Sequence, residues 1–404
     1  MANENLGAAK QAKNDEFYTQ YADIEKEMNA YLDYDQDAFK DKTVLLPCDD
    51  PEWSNFTRYF AQNFQRFGMK KLISTSYAYD SKHLTAPWQP TLFESDSPHY
   101  DKKKSPAKGK IFTLDCDQNG NDKIDINDLQ WEYLDGDGDF RSREIQPLLS
   151  EADMVVTNPP FSLFREFLSW VINARKQFSV IGNMNAITYK EVFPLIRDNK
   201  TWLGPSISSG DREFEVPDSY PLEAAKSRIS KDGRRYLNIK GIRWFTNIEH
   251  GRRHQPLQLM NMEDNLRYNR KLIKALGGAK EYRQYDNYDG IDVPFTDAIP
   301  AGYKGLMGVP ISFLDKYNPE QFQIFGITQS WDDPTGLKQV IYPTQVQVSK
   351  NGKRSQVKKL NDGAAIQIKE PPSDSTYYEV NEKTFIKPYV RVLIRKNPGE
   401  KHEG

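Results

Sequence analysis

Apolar and polar positions alternate along the first half of the chain in two distinct periods. Residues 15–34, DEFYTQYADIEKEMNAYLDY, place Phe17, Tyr21, Ile24, Met28, Tyr31 and Leu32 at helical spacing, which predicts a helix. The short apolar run TVLLP (43–47) then stops at a proline-flanked acidic loop, as a buried parallel strand does. NFTRYFAQNFQRFG (55–68) returns to the helical period and ends on Gly68. KKLISTSY (70–77) reads as a second strand, giving a β-α-β opening.

Residues 80–135 break the rhythm and read as an insertion. It resumes with ADMVVTNPPF (152–161) as strand and turn, and with SLFREFLSWVINARK (162–176) as an amphipathic helix. FSVIGNM (178–184) follows as a strand and TYKEVFPLIRDN (188–199) as a helix. Beyond about residue 205 the alternation fades. GIRWFTNIEH, PLQLMNM and VRVLIRK read as short strands between polar loops, and 345–383 as an appended hairpin or mobile segment. The fold class expected is α/β, a doubly wound core followed by a mixed α+β region.

Composition narrows the setting. The 404 residues suffice for two or three domains, and aromatic residues make up 12% of the chain, enough for a core and a binding surface. No apolar run approaches a membrane span, and the opening MANENLGAAKQAKNDEF carries no apolar signal stretch, so no membrane partner is expected. Two cysteines, Cys48 and Cys116, give no disulfide framework and fit a reducing cytoplasm. The net charge of −2 hides an asymmetry: residues 1–160 carry 18 Lys and Arg against 29 Asp and Glu, and residues 161–404 carry 37 against 28. A basic second half suits a phosphate-binding module, although charge also fluctuates along any chain.

The most informative tetrapeptide is Asn158-Pro159-Pro160-Phe161, which joins a strand to a helix. Ligands of open α/β sheets collect beyond the carboxyl ends of the strands. Two prolines fix the backbone and remove its donors, leaving the Asn158 side-chain oxygen and the Pro159 carbonyl as acceptors. Rigid acceptors beside an aromatic ring suit a planar group with an exocyclic NH2. They hold its hydrogens and turn the nitrogen lone pair toward a methyl donor, while Phe161 stacks on the ring. The reactivity then comes from positioning and electrostatics rather than from a general base. A plain structural turn is the alternative.

At this point the chain resembles the EcoRI-type adenine-specific DNA methyltransferases. The blocks that carry the resemblance are DEFYTQYADIE (15–25), CDDPEWSNF (48–56), GDGDFRS (136–142), ADMVVTNPPFSLFREFL (152–168), ITYKEVFPLI (187–196), WLG (202–204), YDNYDGIDV (285–293) and MGVPISFLDKYNPEQF (307–322). PYVRVLIRK (388–396) is similar to the family's C-terminus. The resemblance implies a Rossmann-like S-adenosylmethionine-dependent core over 1–205, a DNA target-recognition region over 206–335 and a β-rich appendage over 336–404. It implies methyl transfer from S-adenosylmethionine to a flipped-out adenine in double-stranded DNA, with Asn158, Pro159, Pro160 and Phe161 catalytic. It further implies that Phe17, Tyr18 and Thr19 close over the methionine tail, that Pro47, Cys48, Asp49 and Asp50 hold its other side, and that Asp139 and Phe140 meet the cofactor's adenine. A monomer, with a cognate restriction endonuclease sharing its site, is expected by the same resemblance. Which of Asp49 and Asp50 meets the ammonium stays open, because the loop lacks glycines.

Two other readings of the turn remain at this stage. One is an amino-methyltransferase acting on RNA or on protein glutamine, since those substrates also present a planar NH2. The other is a catalytically silent DNA-binding protein on the same scaffold. Separately, residues 117–128 approximate a calcium loop, with oxygen-bearing side chains at Asp117, Asn119, Asn121, Asp125 and Asp128. Asp122 stands where glycine is wanted and Asp128 where a bidentate glutamate is usual, so a hydrated acidic loop is the alternative. Arg212, Arg243, Arg252, Arg253, Arg267 and Arg270 are candidates for DNA contact without an assigned base. Trp202 and Trp244 are expected in the core.

Overall fold

The computed structural model describes residues 18–50, 54–78, 92–95, 97–208, 211–216, 227–332 and 336–398. The chain divides into two compact units, one built from residues 1–186 and 201–251, the other from 187–200 and 252–404.

The first unit is organised on an eight-stranded sheet. Its strands in chain order are β1 (Thr43–Pro47), β2 (Lys71–Ser76), β3 (Lys110–Leu114), β4 (Gln130–Tyr133), β5 (Met154–Thr157), β6 (Gln177–Asn183) and β7 (Trp202–Leu203). A small sheet of β8 (Asp211–Val216), β9 (Ser227–Ile229) and β10 (Arg235–Lys240) interrupts the order before β11 (Ile242–Thr246). Across the large sheet the order is β4-β3-β2-β1-β5-β6-β11-β7. The central strands β2, β1, β5 and β6 are parallel, and both edges are antiparallel. The central strands are almost wholly buried, which is why TVLLP and MVVT read as continuous apolar runs rather than alternating ones.

Helix α1 (Tyr21–Leu32) buries Ile24, Met28 and Tyr31. Helix α2 (Asn55–Gln62) crosses from β1 to β2 and starts on an N-cap, Ser54, whose hydroxyl accepts from Phe56 N. Helix α3 (Phe164–Asn173) crosses from β5 to β6 and buries Phe164, Phe167, Leu168 and Val171 along one stripe. Such side chains are worth about 1.5–3 kcal/mol each when fully buried.

Several expectations need correction. The helix expected over 15–34 begins only at Tyr21. Residues 18–20 are extended, because Tyr18 exchanges backbone hydrogen bonds with Glu215 of β8. The first domain does not close at 205, since β11 is the strand that pairs with both β6 and β7 and belongs to the same sheet. Residues 188–199 belong to the second unit, with a helix only over Phe193–Arg197.

The second unit carries two sheets. One runs in the order β12 (Gly290–Asp292), β13 (Leu306–Pro310), β20 (Arg391–Lys396), β14 (Phe322–Ile327). The other is formed by β15 (Gln345–Val348), β16 (Arg354–Val357), β17 (Ile366–Ile368), β18 (Tyr377–Val380) and β19 (Lys383–Ile386). Residues 345–386 are therefore a five-stranded sheet rather than a hairpin. The C-terminal strand β20 lies inside the other sheet, between β13 and β14, so it is no appendage. PLQLMNM forms no strand; it leads into the helix Met262–Tyr268, capped by Asn261. Among the described residues no helix is long and apolar enough to cross a membrane.

Candidate active site

Strand β1 is flanked by β2 on one side and by β5 on the other, and the chain reaches β2 before it returns to β5. The carboxyl ends of β1 and β5 are thus the point where the winding reverses, the place where open α/β sheets hold ligands. Two of the loops singled out by sequence start there: Pro47–Asp50 after β1 and Asn158–Phe161 after β5.

The first loop is tightly fixed. Cys48 adopts a left-handed φ of 75°, an uncommon conformation for a residue with a Cβ. Asp49 is buried, and its amide donates to Thr75 O at 2.8 Å. Its carboxyl faces two hydroxyls, Ser54 Oγ on Oδ1 at 2.7 Å and Thr157 Oγ1 on Oδ2 at 2.5 Å. Its backbone carbonyl accepts from Thr57 Oγ1 at 2.9 Å and from Ser74 Oγ. Burial drives the Asp49 carboxyl up to about 7. The Ser54 and Thr157 hydroxyls pull it partly back, and the neighbouring Asp50 charge adds to the rise. Asp50 is only half-buried, and its carbonyl accepts from Ser54 N at 2.7 Å.

The second loop leaves β5 at Thr157, whose hydroxyl also lies 2.7 Å from Pro47 O. Asn158 is half-buried with its Oδ1 shut off from solvent, and Pro159 is buried. Pro160 O accepts from Leu163 N at 2.9 Å, which closes the turn into the helical segment that follows. Phe161 is half-buried, with its ring edge-on to Phe214 of β8 at 6.4 Å and 89°.

The block before α1 is tied to β8 and to the start of α2. Phe17 falls outside the described residues. Tyr18 is held to β8, and Thr19 O accepts from Asn55 Nδ2 at 2.8 Å, which brings Thr19 to the start of α2. Thr19 Oγ1 is buried and has no hydrogen-bond partner among the described residues. A buried orphan hydroxyl at the start of α2, the helix that follows the Pro47–Asp50 loop, fits a polar ligand there, and the tail of S-adenosylmethionine offers such groups.

The segment 136–140 sits against the end of β2. Ala78 N donates to Asp137 O at 2.8 Å. Gly138, at φ 79°, passes so close to the sheet that a Cβ would meet Ser76 O at 2.3 Å. Asp139 is already engaged: Arg141 Nη2 donates to Oδ2 at 2.6 Å and Arg141 Nε to Oδ1 at 2.9 Å. Burial alone would raise the Asp139 carboxyl, but the Arg141 contacts outweigh it and hold it below its ordinary value. The Phe140 ring, expected over the cofactor's adenine, is instead packed beneath α3, against Phe167 at 5.0 Å and Trp170 at 5.3 Å. It is 3% exposed, and the Arg141 guanidinium lies over it at 5.6 Å from the ring centre.

The acidic loop does not assemble a cation cage. Asp117 accepts from the amides of Asn119, Gly120, Asn121 and Asp122. Asp128 accepts from the amides of Gln118, Asn119 and Asp125 and from the Asn119 side chain. Asp125 accepts from Asn127, and the Asn121 side chain accepts from Lys123 N. The carboxylates are spent on their own backbone. No group of three or more His, Cys, Asp or Glu that could hold a metal occurs among the described residues. The calcium reading is therefore withdrawn.

The arginines separate by burial. In the first unit Arg243 is buried and donates to Ile242 O and Ser208 O, and Arg212 Nη1 donates to Asp211 O. Trp244 and Trp202 are core residues, the latter donating to Ile248 O. In the second unit Arg253 is buried and donates to Asn199 Oδ1, Arg252 is half-buried, and Arg267 and Arg270 are exposed. Sequence reasoning missed Ser54, Thr57, Ser74 and Thr157 around Asp49. Ser74 and Thr157 signal themselves only as hydroxyls toward the end of otherwise apolar buried strands, as in STS and MVVT, and Ser54 and Thr57 belong to the N-cap and first turn of α2.

Residues 5–397 match the family described as adenine-specific methyltransferase EcoRI. The chain is 40% identical to the type II methyltransferase M.EcoRI of Escherichia coli over 331 residues, covering 82% of this chain and 91% of that one. It is 34% identical to the type II methyltransferase M.MpnI of Mycoplasma pneumoniae over 318 residues, 78% of this chain and 83% of that one. It is also 34% identical to M.MgeORF184P of Mycoplasma genitalium over 323 residues, 79% and 85% of the two chains. No solved structure matches.

Proposed function

Because this chain belongs to the family of EcoRI-type adenine-specific methyltransferases, and is thereby a site-specific DNA adenine methyltransferase, we propose that the Asn158–Phe161 turn holds the adenine amino group and that the loop Pro47–Asp50, with Thr19, holds the methyl donor. The donor is S-adenosylmethionine, whose sulfonium supplies an activated methyl group. The observation that carries this reading is the tie between the two loops at the reversal point of the sheet, where Thr157 Oγ1 lies 2.7 Å from Pro47 O.

The residues act by placement. Asn158 Oδ1 and Pro159 O accept the two amino hydrogens, which holds the nitrogen with its lone pair directed out of the ring plane. Phe161 covers one face of the base, steadied by Phe214. Asp50, rather than the buried Asp49, would hold the ammonium of the methionine tail. Phe140 is left out of the cofactor site, and Asp139 reaches it only by giving up Arg141. A target adenine must leave the helix to enter such a pocket, so the bound duplex is opened at one base.

The four parallel strands and their reversal support a Rossmann-like core in the first unit. We assign target recognition to the second unit, on its 26 Lys and Arg against 20 Asp and Glu and on the exposed Arg267 and Arg270. The type II designation of the relatives supports a restriction–modification setting, and the cognate endonuclease, the cytoplasmic location and the monomeric state are carried over from the family resemblance. The test is transfer of labelled methyl groups from S-adenosylmethionine to unmethylated genomic DNA, followed by nucleoside analysis. N6-methyladenine at one short motif is expected. Label in RNA or protein but not in DNA would overturn the substrate assignment.

A further inference from the structure

The contacts around Thr157 raise a proton-counting problem. A threonine hydroxyl has one hydrogen to donate. Thr157 Oγ1 lies within hydrogen-bond distance of two oxygens, Pro47 O at 2.7 Å and Asp49 Oδ2 at 2.5 Å. The Pro47 carbonyl can only accept. If Asp49 were ionised its Oδ2 could also only accept, and one hydrogen would have to serve both. A carboxylic acid resolves the conflict: Oδ2–H donates to Thr157 Oγ1, and Thr157 donates to Pro47 O. The other carboxyl oxygen accepts from Ser54, whose own oxygen accepts from Phe56 N.

The surroundings favour the uncharged form. From the α2 side Asp49 meets Ser54 and Thr57, from β2 it meets Ser74 and Thr75, and from β5 it meets Thr157. None of these carries charge. The charged group that bears on its titration is Asp50, which opposes ionisation, and no cation bears on it among the described residues. Burial independently pushes this carboxyl up to about 7.

We propose that Asp49 works as an uncharged acid, a positioning residue whose hydrogen-bond chain through Thr157 to Pro47 sets the spacing between the loop after β1 and the Asn158 turn. This rests on the reading that the two loops hold the methyl donor and the target amine. The chain Asp49–Thr157–Pro47 then joins the two halves of the reaction site directly behind Asn158. A misplacement of about 1 Å between reacting groups can cost on the order of 100-fold in rate, so a short strut at this point acts on turnover more than on affinity.

The test compares Asp49→Asn, Asp49→Ala, Thr157→Val, Thr157→Ser and the Asp49→Ala/Thr157→Val pair. Single-turnover methyl transfer, equilibrium S-adenosylmethionine binding and the infrared signal of a protonated carboxyl are read for each. Asparagine is neutral and its NH2 can donate to Thr157, so Asp49→Asn is expected to restore at least about tenfold of the rate that Asp49→Ala loses. Asp49→Ala and Thr157→Val are expected to lose roughly 100-fold in rate with binding changed by less than about fivefold, and the pair to lose no more than either alone. Thr157→Ser is expected to recover most of the rate. The protonated-carboxyl band is expected in the parent protein near neutral pH and absent in Asp49→Asn.

Parent-like rates in Asp49→Ala and Thr157→Val would overturn the strut. A loss of more than about tenfold in S-adenosylmethionine affinity in Asp49→Asn would make Asp49 a charged ligand and overturn it as well. Should Asp49→Ala fail to fold, the near-isosteric Thr157→Val and Asp49→Asn still decide. Asn158→Ala, run alongside, keeps the two claims apart. An active Asn158→Ala removes the underlying site assignment, whereas an inactive one beside a fully active Asp49→Ala removes only the strut.

Discussion

Tyr18 and Glu215 exchange both backbone hydrogen bonds, Tyr18 N to Glu215 O at 2.9 Å and Glu215 N to Tyr18 O at 3.1 Å. This bridge fastens the segment before α1 to the strand that carries Phe214, and Phe214 in turn meets Phe161 edge-on. The segment proposed to cover the methyl donor and the ring proposed to cover the target base therefore share one support, β8.

Phe214 is 2% exposed and belongs to the main core of the first unit. Phe214→Ala should cost about 3–5 kcal/mol, the usual range for a buried phenylalanine, seen as a lower melting temperature. Below that melting temperature it should also slow methyl transfer, because Phe161 loses its edge contact. Unchanged stability and rate would contradict the packing described.

Phe140 gives a sharper contrast. If its ring only packs against Phe167 and Trp170, Phe140→Leu should lower thermal stability by about 1–2 kcal/mol while S-adenosylmethionine binding stays within about threefold. Calorimetric unfolding and titration separate the two effects. A large loss of cofactor affinity without loss of stability would return Phe140 to the cofactor site.

Asp49 should leave a mark on the pH dependence of stability. Its carboxyl rises from 3.8 to about 7 on folding, so between those values the folded protein holds a proton that the unfolded chain has released. Stability from this group is full below the lower value and falls as pH climbs toward 7, by at most about 1.4 kcal/mol per pH unit. Denaturant unfolding of the parent and of Asp49→Asn across that range is the check. The asparagine variant should lack this part of the slope.

The acidic loop at 117–128 should be indifferent to calcium. Its carboxylates are already satisfied by backbone amides, so millimolar calcium or a chelator should leave the melting temperature unchanged. A rise of several degrees with calcium would mean that the folded state binds the ion.

Much of the central sheet was legible because its strands are buried on both faces. TVLLP, MVVT and FSVIG then appear as unbroken apolar runs, and the Asn-Pro-Pro-Phe turn follows one of them directly. What escaped were relations that depend on distant pairing. Nothing near residue 245 announces that IRWFT lies between β6 and β7, since that is decided by pairing with strand residues 42 to 67 positions away. Tyr18 looks helical in its local period and is extended because Glu215 supplies its partner. The family resemblance gives Phe140 a cofactor contact, and the aromatic surface that packs against it comes from α3, which its own loop does not announce. The role of Asp49 was ambiguous because the hydroxyls that enclose it come from three different elements.

The central claim is that the Asn158 side chain holds the amine that receives the methyl group. Single-turnover transfer by Asn158→Ala, with S-adenosylmethionine and DNA binding measured on the same preparation, tests it most directly. A rate loss of about 100-fold or more, with both affinities within about threefold of the parent, is the predicted result. Turnover at the parent rate would contradict the account.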